Sequence, residues 1–289
     1  ANSVFCKKFD LNSRIYLIDQ PLLPIVRKNM LCDYYYGADM IYNRSEITLA
    51  LKIAWRLLTD RSSYLIMPGA SVPLGTIGFV NAAFELAEQV KNGEIPEPDC
   101  LFVAVGSGGT CAGLTLGLEL AGLKTQVHGV RVAFYAFTKK KAVLKLATKT
   151  LKLMRKTDPS LPKVEKKLEQ RLTIHHEFYG EEYGRITYEG LEAQKQMERD
   201  GIHLETTYTA KAFSGQLDYC KSEEENQDLN KENGEKRVLL FWNTHNSRDM
   251  QSICDQVDYK NLPKSFHKFF NGEVPLDDIP VHAKKIAKH

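Results

Sequence analysis

The chain has 289 residues, with 39 Lys and Arg against 36 Asp and Glu, a net charge of +3. Hydrophobic residues at 43% and charged residues at 26% place it among globular chains and exclude the disordered and fibrous classes. The near-neutral balance excludes a general nucleic-acid binder but leaves room for a local basic patch. No apolar run reaches the ~18 residues of a membrane span. The length suits one large domain or two modest ones, burying roughly three quarters of the unfolded surface. Six cysteines (Cys6, Cys32, Cys100, Cys111, Cys220, Cys254) are scattered without a CxxC. That spacing predicts neither a zinc site nor a disulfide scaffold, and a reducing compartment.

The chain opens on Ala1-Asn2-Ser3, with no initiator methionine and no cleavable signal. A processed or truncated N-terminus is the expectation. Val4 to Phe9 reads as a helix and Ile15 to Ile18 as a short buried strand, ended by Asp19-Gln20-Pro21. Val26 to Tyr36 has helical spacing and stops at Gly37, a C-cap. Met40 to Tyr42 is a short strand, and Leu49 to Leu58 (LALKIAWRLL) a helix with a strong apolar face. Tyr64 to Met67 predicts a third strand, closed by Pro68-Gly69, and Phe79 to Val90 a helix. Cys100 to Val105 (CLFVAV) is the clearest central strand, because a continuous apolar run suits a sheet covered on both faces. Cys111 to Ala121 is an apolar helix ending at Gly122, and Thr125 to Phe134 returns to strand character. The repeated strand–helix order predicts an α/β protein with a largely parallel sheet.

The second half is less regular. Lys139 to Arg155 is a basic amphipathic helix without an acid, with Leu144, Leu151 and Met154 as its apolar stripe. Such a helix is a solvated face or a contact for an anionic partner, nucleic acid included. Asp158 to Pro162 is a linker, Lys163 to Leu172 another helix, and Tyr188 to Asp200 a helix ending at Gly201. Residues 222–236 read as an exposed polar insertion between a helix near Ala212 and the strand Val238 to Trp242. The tail from Phe266 has no strong periodicity.

The most informative local feature is Gly106-Ser107-Gly108-Gly109-Thr110, which follows the central strand and opens a helix. Glycines admit close backbone approach, and the orphan N–H groups of a helix start hold anions. Ser107 and Thr110 add hydroxyl donors. The G-x-G-x-x-G spacing of a dinucleotide loop is absent, and so is the Gly-Lys-Ser/Thr of a P-loop. Two readings remain: a phosphate cradle, or tight helix–sheet packing by small residues. A second loop, Gly69 to Gly78, also joins a strand to a helix, and Ser71 or Thr76 could reach a ligand there. His175-His176 would point to opposite faces if it lay in a strand, and makes a poor chelator. Thr244-His245-Asn246 is a loop following a strand. No Gly-x-Ser-x-Gly elbow supports serine catalysis.

Taken together, the segments resemble the pyridoxal-phosphate enzymes of the aminocyclopropane-carboxylate deaminase and D-cysteine desulfhydrase group. These have the tryptophan-synthase-beta-like fold, fold type II. The resemblance is carried by Val26 to Leu31 (VRKNML) with Tyr36-Gly37-Ala38, by Pro68 to Asn81 (PGASVPLGTIGFVN) and by Val105 to Gly113 (VGSGGTCAG). It continues through Tyr183-Gly184 with Thr187, and Tyr208 to Ala212 (YTAKA). It implies that Gly106, Ser107, Gly108, Gly109 and Thr110 cradle the phosphate of pyridoxal 5'-phosphate. It also implies that Tyr208 lies close to the ring and that Thr209 faces the pyridine nitrogen as a neutral partner. The small domain is expected over residues 1–75 and the large one over 76–289.

The departures matter as much. The family's Schiff-base lysine belongs to an Asn-Lys element upstream of the region matching Ala1, and its Ser-Asn pair just before the first helix. Lys7, Lys8, Lys28 and Lys211 do not match that lysine. Asn243 to Asn246 replaces a glycine-rich loop, and Gly69-Ala70-Ser71 replaces the commoner Gly-Gly-Ser/Asn. The expectation is therefore a degenerate, N-terminally truncated relative with no catalytic residue and no metal, serving as a structural or assembly subunit. The alternatives are a fragment of an active deaminase or desulfhydrase for a small amino acid, and a non-catalytic phosphate-ligand module. A homo-oligomer or a larger complex is expected, with residues 12–42 covered by another chain, in the cytoplasm or mitochondrial matrix.

Overall fold

The computed structural model describes residues 1–20, 22–225, 236–246, 248–272 and 280–283. In chain order the first elements are α1 (Asn2–Lys8), β1 (Arg14–Leu17), α2 (Pro24–Tyr35), β2 (Asp39–Tyr42), α3 (Glu46–Thr59) and α4 (Pro73–Lys91). Next come β3 (Cys100–Val105), α5 (Gly109–Leu120), β4 (Gln126–Arg131), α6 (Tyr135–Thr138), α7 (Lys140–Thr157), α8 (Glu165–Arg171) and β5 (Leu172–His175). The last are α9 (Tyr188–Arg199), α10 (Thr209–Glu225), β6 (Leu239–Phe241), α11 (Gln251–Cys254) and α12 (Lys268–Asn271). The chain divides into two compact units, Ala1–Leu65 with Ser247–Asp278, and Ile66–Asn246 with Ile279–His289. The expected boundary at 75/76 thus falls at 65/66, and a C-terminal segment returns to the first unit.

In the first unit β1 and β2 pair in parallel, Ile15 opposite Met40. Helix α2 ends as its sequence predicts: Gly37 takes φ +77° and its N–H donates to the Tyr34 carbonyl at 2.9 Å. The core gathers Met30, Met40, Leu262, Phe266 and Phe269, and the Arg27 guanidinium donates to the Phe269 carbonyl at 2.7 Å. Helix α3 starts at a reciprocal capping box of Ser45 and Thr48. Its apolar face is not a core face. Ile47, Leu51, Trp55 and Leu58 are 74%, 66%, 70% and 78% exposed, while only Leu49, Ile53 and Arg56 turn partly inward. The expected strand at Tyr64 to Met67 is absent. Those residues are exposed and no neighbouring strand supplies their ladder hydrogen bonds among the described residues.

The second unit is built on a four-stranded sheet in the order β5-β4-β3-β6, with every pairing parallel. Its central strand explains the continuous apolar run. Leu101, Val103 and Val105 pack on one face against Val80, Leu114, Leu118, Val143 and Leu151. Cys100 and Phe102 pack on the other against Val130, Phe178 and Ala212. Helices on both faces leave neither side to water. Strand β5 is an addition to the sequence reading. Arg171, at the end of α8, fixes it by donating to the Glu119 carboxylate at 2.6 Å and to the Thr125 carbonyl at 2.6 Å.

Helix α4 begins at Pro73 rather than Phe79, because proline suits the first helical position. The basic helix α7 buries Val143, Ala147, Thr150 and Leu151, and Leu144 and Met154 of the expected stripe are partly buried against the same core. Lys141, Lys145, Lys149, Lys152 and Lys156 form an exposed row. The expected insertion at 222–236 begins inside α10, and residues 226–235 lie outside the described residues. So do residues 273–279 and 284–289 of the tail. Among the described residues no helix is long and apolar enough to cross a membrane, and no group of three or more His, Cys, Asp or Glu could hold a metal.

His175 meets a partner the sequence did not disclose. Its Nε2 lies 2.9 Å from Nδ1 of His128 on the neighbouring strand, with the rings stacked beside Phe102. A hydrogen bond between two ring nitrogens needs one protonated and one bare nitrogen, so neither ring gains by a second proton. Burial, then His175, hold His128 down to about 4, and burial lowers His175 as well. The unfolded chain therefore binds more protons between pH 6.5 and about 4, and stability is lost as pH falls through that window. A urea series is expected to show a loss of roughly 2–3 kcal/mol from pH 6.5 to 4. H128F/H175F should flatten that slope, and an unchanged slope would refute the assignment.

Candidate functional site

The glycine segment sits at the C-terminal end of β3, in the middle of a parallel sheet, where ligands bind in open α/β folds. Gly108 takes φ +89° at the N-cap of α5, a left-handed turn that glycine makes without strain. The first N–H groups of this 12-residue helix then point off its end with the positive pole of the helix field behind them. Gly106 is open. A β-carbon there would meet only the Tyr208 ring, at 3.8 Å. Val143 and the Phe137 carbonyl back the turn at Gly108, at 3.5 and 3.7 Å from a β-carbon placed there.

The second glycine loop closes on the first. The Ser71 hydroxyl accepts the Gly109 N–H at 3.1 Å and donates to the Ser107 hydroxyl at 2.6 Å. What holds the loops together lies further along the two helices. A β-carbon at Gly113 would stand 2.5 Å from Phe79 Cβ, and one at Gly117 2.6 Å from Ala83 Cβ. Only glycine permits α4 and α5 to approach this closely. Thr76, named from the sequence as a ligand candidate, is buried in that contact and spends its hydroxyl on the Val72 carbonyl. Ala70 sits at φ +49°, in a region that costs a residue with a β-carbon and that the usual glycine would occupy freely.

Aromatic side chains wall the space in front of Gly106. Tyr208 shares a short hydrogen bond with the Tyr183 hydroxyl, and Tyr183 stacks on Phe134 with ring centroids 5.8 Å apart. Burial first, then the Tyr183 hydroxyl, push the Tyr208 phenol well above its ordinary range. It therefore keeps its proton across ordinary pH and serves as a neutral hydrogen-bonding group.

Thr209 is buried beside Tyr208, and its hydroxyl is engaged locally. It accepts the Glu205 N–H at 2.9 Å. Glu205 is the residue that sequence reasoning missed. Its carboxylate accepts the N–H groups of Thr207, Tyr208 and Thr209 at 2.8, 2.6 and 2.7 Å and so caps α10. An acid a few residues before an apolar helix was the available signal. Lys211, one turn on, is fully buried and donates to the Tyr179 carbonyl at 2.7 Å. Burial lowers it to about 8. Asn243 to Asn246 follows β6 at the same end of the sheet, where the Asn243 amide donates to the His203 carbonyl at 3.4 Å and its carbonyl accepts the His245 N–H at 3.0 Å.

The donor set fits a phosphate: first-turn N–H groups, the hydroxyls of Ser71, Ser107 and Thr110, and an open face at Gly106. The family model "Pyridoxal-phosphate dependent enzyme" matches residues 1–238. A 1-aminocyclopropane-1-carboxylate deaminase-like protein of Pyrococcus furiosus is 32% identical over 206 residues, 69% of this chain and 59% of that one. The D-cysteine desulfhydrase of Klebsiella pneumoniae is 32% identical over 156 residues, 54% of this chain and 44% of that one. The chain thus spans about half the length of these relatives. A crystal structure of an ACC deaminase homologue superposes with a TM-score of 0.62 at 24% identity, over 83% of this chain and 67% of that one. That likeness shows the fold, α/β of the tryptophan-synthase-beta-like type.

Two substitutions test the packing behind the site, both read by urea denaturation. Gly113→Ala is expected to cost about 1–3 kcal/mol by forcing α4 off α5. Ala70→Gly is expected to gain about 1 kcal/mol by removing the left-handed alanine. A neutral Gly113→Ala would show that the close approach is dispensable.

Proposed function

The chain belongs to the family of pyridoxal-phosphate dependent enzymes, and from that premise we propose that its second unit holds pyridoxal phosphate without supplying the amine that bonds to it. On this reading the protein is a cofactor-holding relative of the deaminases and desulfhydrases of small amino acids, and serves as a non-catalytic subunit of an assembly. The observation that carries it is the fate of the one fully buried lysine of the described residues. Lys211 spends its ammonium on the Tyr179 carbonyl, and no lysine among the described residues bonds to the glycine loop.

The chain's own residues have distinct tasks. The N–H groups at the start of α5, with Ser71, Ser107 and Thr110, would hold the phosphate dianion. Tyr208, whose ring faces Gly106, would hold the cofactor ring, with Tyr183 and Phe134 beside it. The Tyr208 phenol holds its proton and offers a neutral donor. Glu205 fixes the backbone that presents Tyr208 and Thr209. Bound there, the cofactor supplies an electron-accepting ring joined to a carbonyl that combines with amino groups. The outward apolar row of α3 supports the assembly role, because an exposed row of that kind marks an interaction surface.

A second reading is an active deaminase or desulfhydrase whose amine comes from outside the described residues. The 32% identity to the Pyrococcus and Klebsiella proteins favours it. The test is titration of the full chain with pyridoxal phosphate, followed by absorbance, then borohydride reduction and intact mass. The proposal expects saturable binding at one equivalent, weakened at least tenfold in Gly106→Leu, with no stoichiometric borohydride-fixed adduct. A cofactor fixed to one lysine, with 2-oxo acid released from D-cysteine or 1-aminocyclopropane-1-carboxylate, would establish the second reading instead. Binding of inorganic phosphate with no affinity for the ring would leave a phosphate-ligand module.

A further inference from the structure

Cys32 lies in the last turns of α2 and Cys254 ends α11, 222 residues later, yet their sulfurs are 3.7 Å apart. Both belong to the first unit. Cys254 is buried, and its thiol also points at the Lys28 carbonyl at 3.7 Å. Cys32 is partly exposed, so solvent-borne reagents reach it first. A disulfide needs its sulfurs about 2 Å apart, so the bond requires the two thiols to close the remaining gap. Cys254 also lies beyond residues 1–238, the span that the family model matches. The pair therefore depends on this chain's own C-terminal segment and is independent of the cofactor reading.

We propose that Cys32 and Cys254 form a site of reversible covalent modification, which a low-molecular-weight disulfide such as oxidised glutathione converts into an intramolecular disulfide stapling α2 to α11. The steps balance. The Cys32 thiolate attacks one sulfur of the oxidant, the Cys32–glutathione bond forms, the oxidant's S–S bond breaks, and the first glutathione leaves as a thiol after taking a proton. The Cys254 thiolate then attacks the Cys32 sulfur and expels the second glutathione, again as a thiol. Two protein thiols lose two electrons and two protons, and the oxidant gains them. Burial first, then the Cys254 thiol, push Cys32 up to about 11, so little thiolate is present near neutral pH and the first step is slow there. Its rate should rise about tenfold per pH unit between pH 7 and 9.

The test is incubation of the full chain with oxidised glutathione, followed by intact mass and a non-reducing digest. The expected product has lost two hydrogens, retains no glutathione and yields a peptide joined at Cys32 and Cys254. Closing so long a loop should raise the melting temperature by at least about 4 °C, and dithiothreitol should reverse the rise. Cys254→Ser should stop the sequence halfway and accumulate the Cys32–glutathione adduct. If that variant fails to fold, trapping Cys32 with iodoacetamide in the wild-type chain should block the link equally. A persistent glutathione adduct on the wild-type chain, a link between other cysteines, or an unchanged mass under excess oxidant would each overturn the proposal.

Discussion

The second unit turns on one steric fact: two helices touch where neither has a side chain. Gly113 and Gly117, one turn apart on α5, let α4 come close enough that added β-carbons would overlap Phe79 and Ala83. That contact sets the position of the residues before α4. Ser71 then reaches the first N–H of α5 and the Ser107 hydroxyl. The anion cup is therefore assembled from two loops that packing far from the ligand holds together.

The chemistry of the cup follows from what surrounds it. A helix start offers a partial positive charge of roughly half a unit to a phosphate. On the proposed reading the ring-facing wall is neutral: a phenol that keeps its proton and a threonine whose hydroxyl accepts the Glu205 N–H. Strong protonation of a pyridine nitrogen requires a carboxylate aimed at it, and Glu205 instead gives its oxygens to three backbone N–H groups. On the proposed reading, such an arrangement would favour holding the cofactor in place over drawing charge deep into its ring.

Much of this was legible in the residues. The apolar run at Cys100 to Val105 signalled a doubly covered strand, and the glycines at 106, 108 and 109 signalled the turn beyond it, because both features are local. Gly37 and Gly201 ended their helices at left-handed φ for the same reason. What failed was non-local. Tyr64 to Met67 has strand composition, but composition cannot supply a neighbour to pair with. The α3 face has helical period, but period does not say whether a core lies opposite. His128 and His175 are 47 residues apart, and only the strand register brings them together. Glu205 could have been found, had the acid before α10 been weighed as a cap.

The two units contrast in how fully they bury what they display. The second unit covers both faces of its central strands, and its large apolar side chains at the centre are excluded from water. The first has two strands, a small core at Met30, Met40, Phe266 and Phe269, and a well-capped helix whose largest apolar side chains face outward. A capping box stabilises the start of α3 by about 1 kcal/mol whatever its sides touch. The helix thus forms for local reasons, and its row of Ile47, Leu51, Trp55 and Leu58 is left for contacts the unit does not make internally. Nothing about folding α3 requires that row to be apolar. On the proposed reading its composition reflects association, a basis for the assembly role separate from the cofactor site.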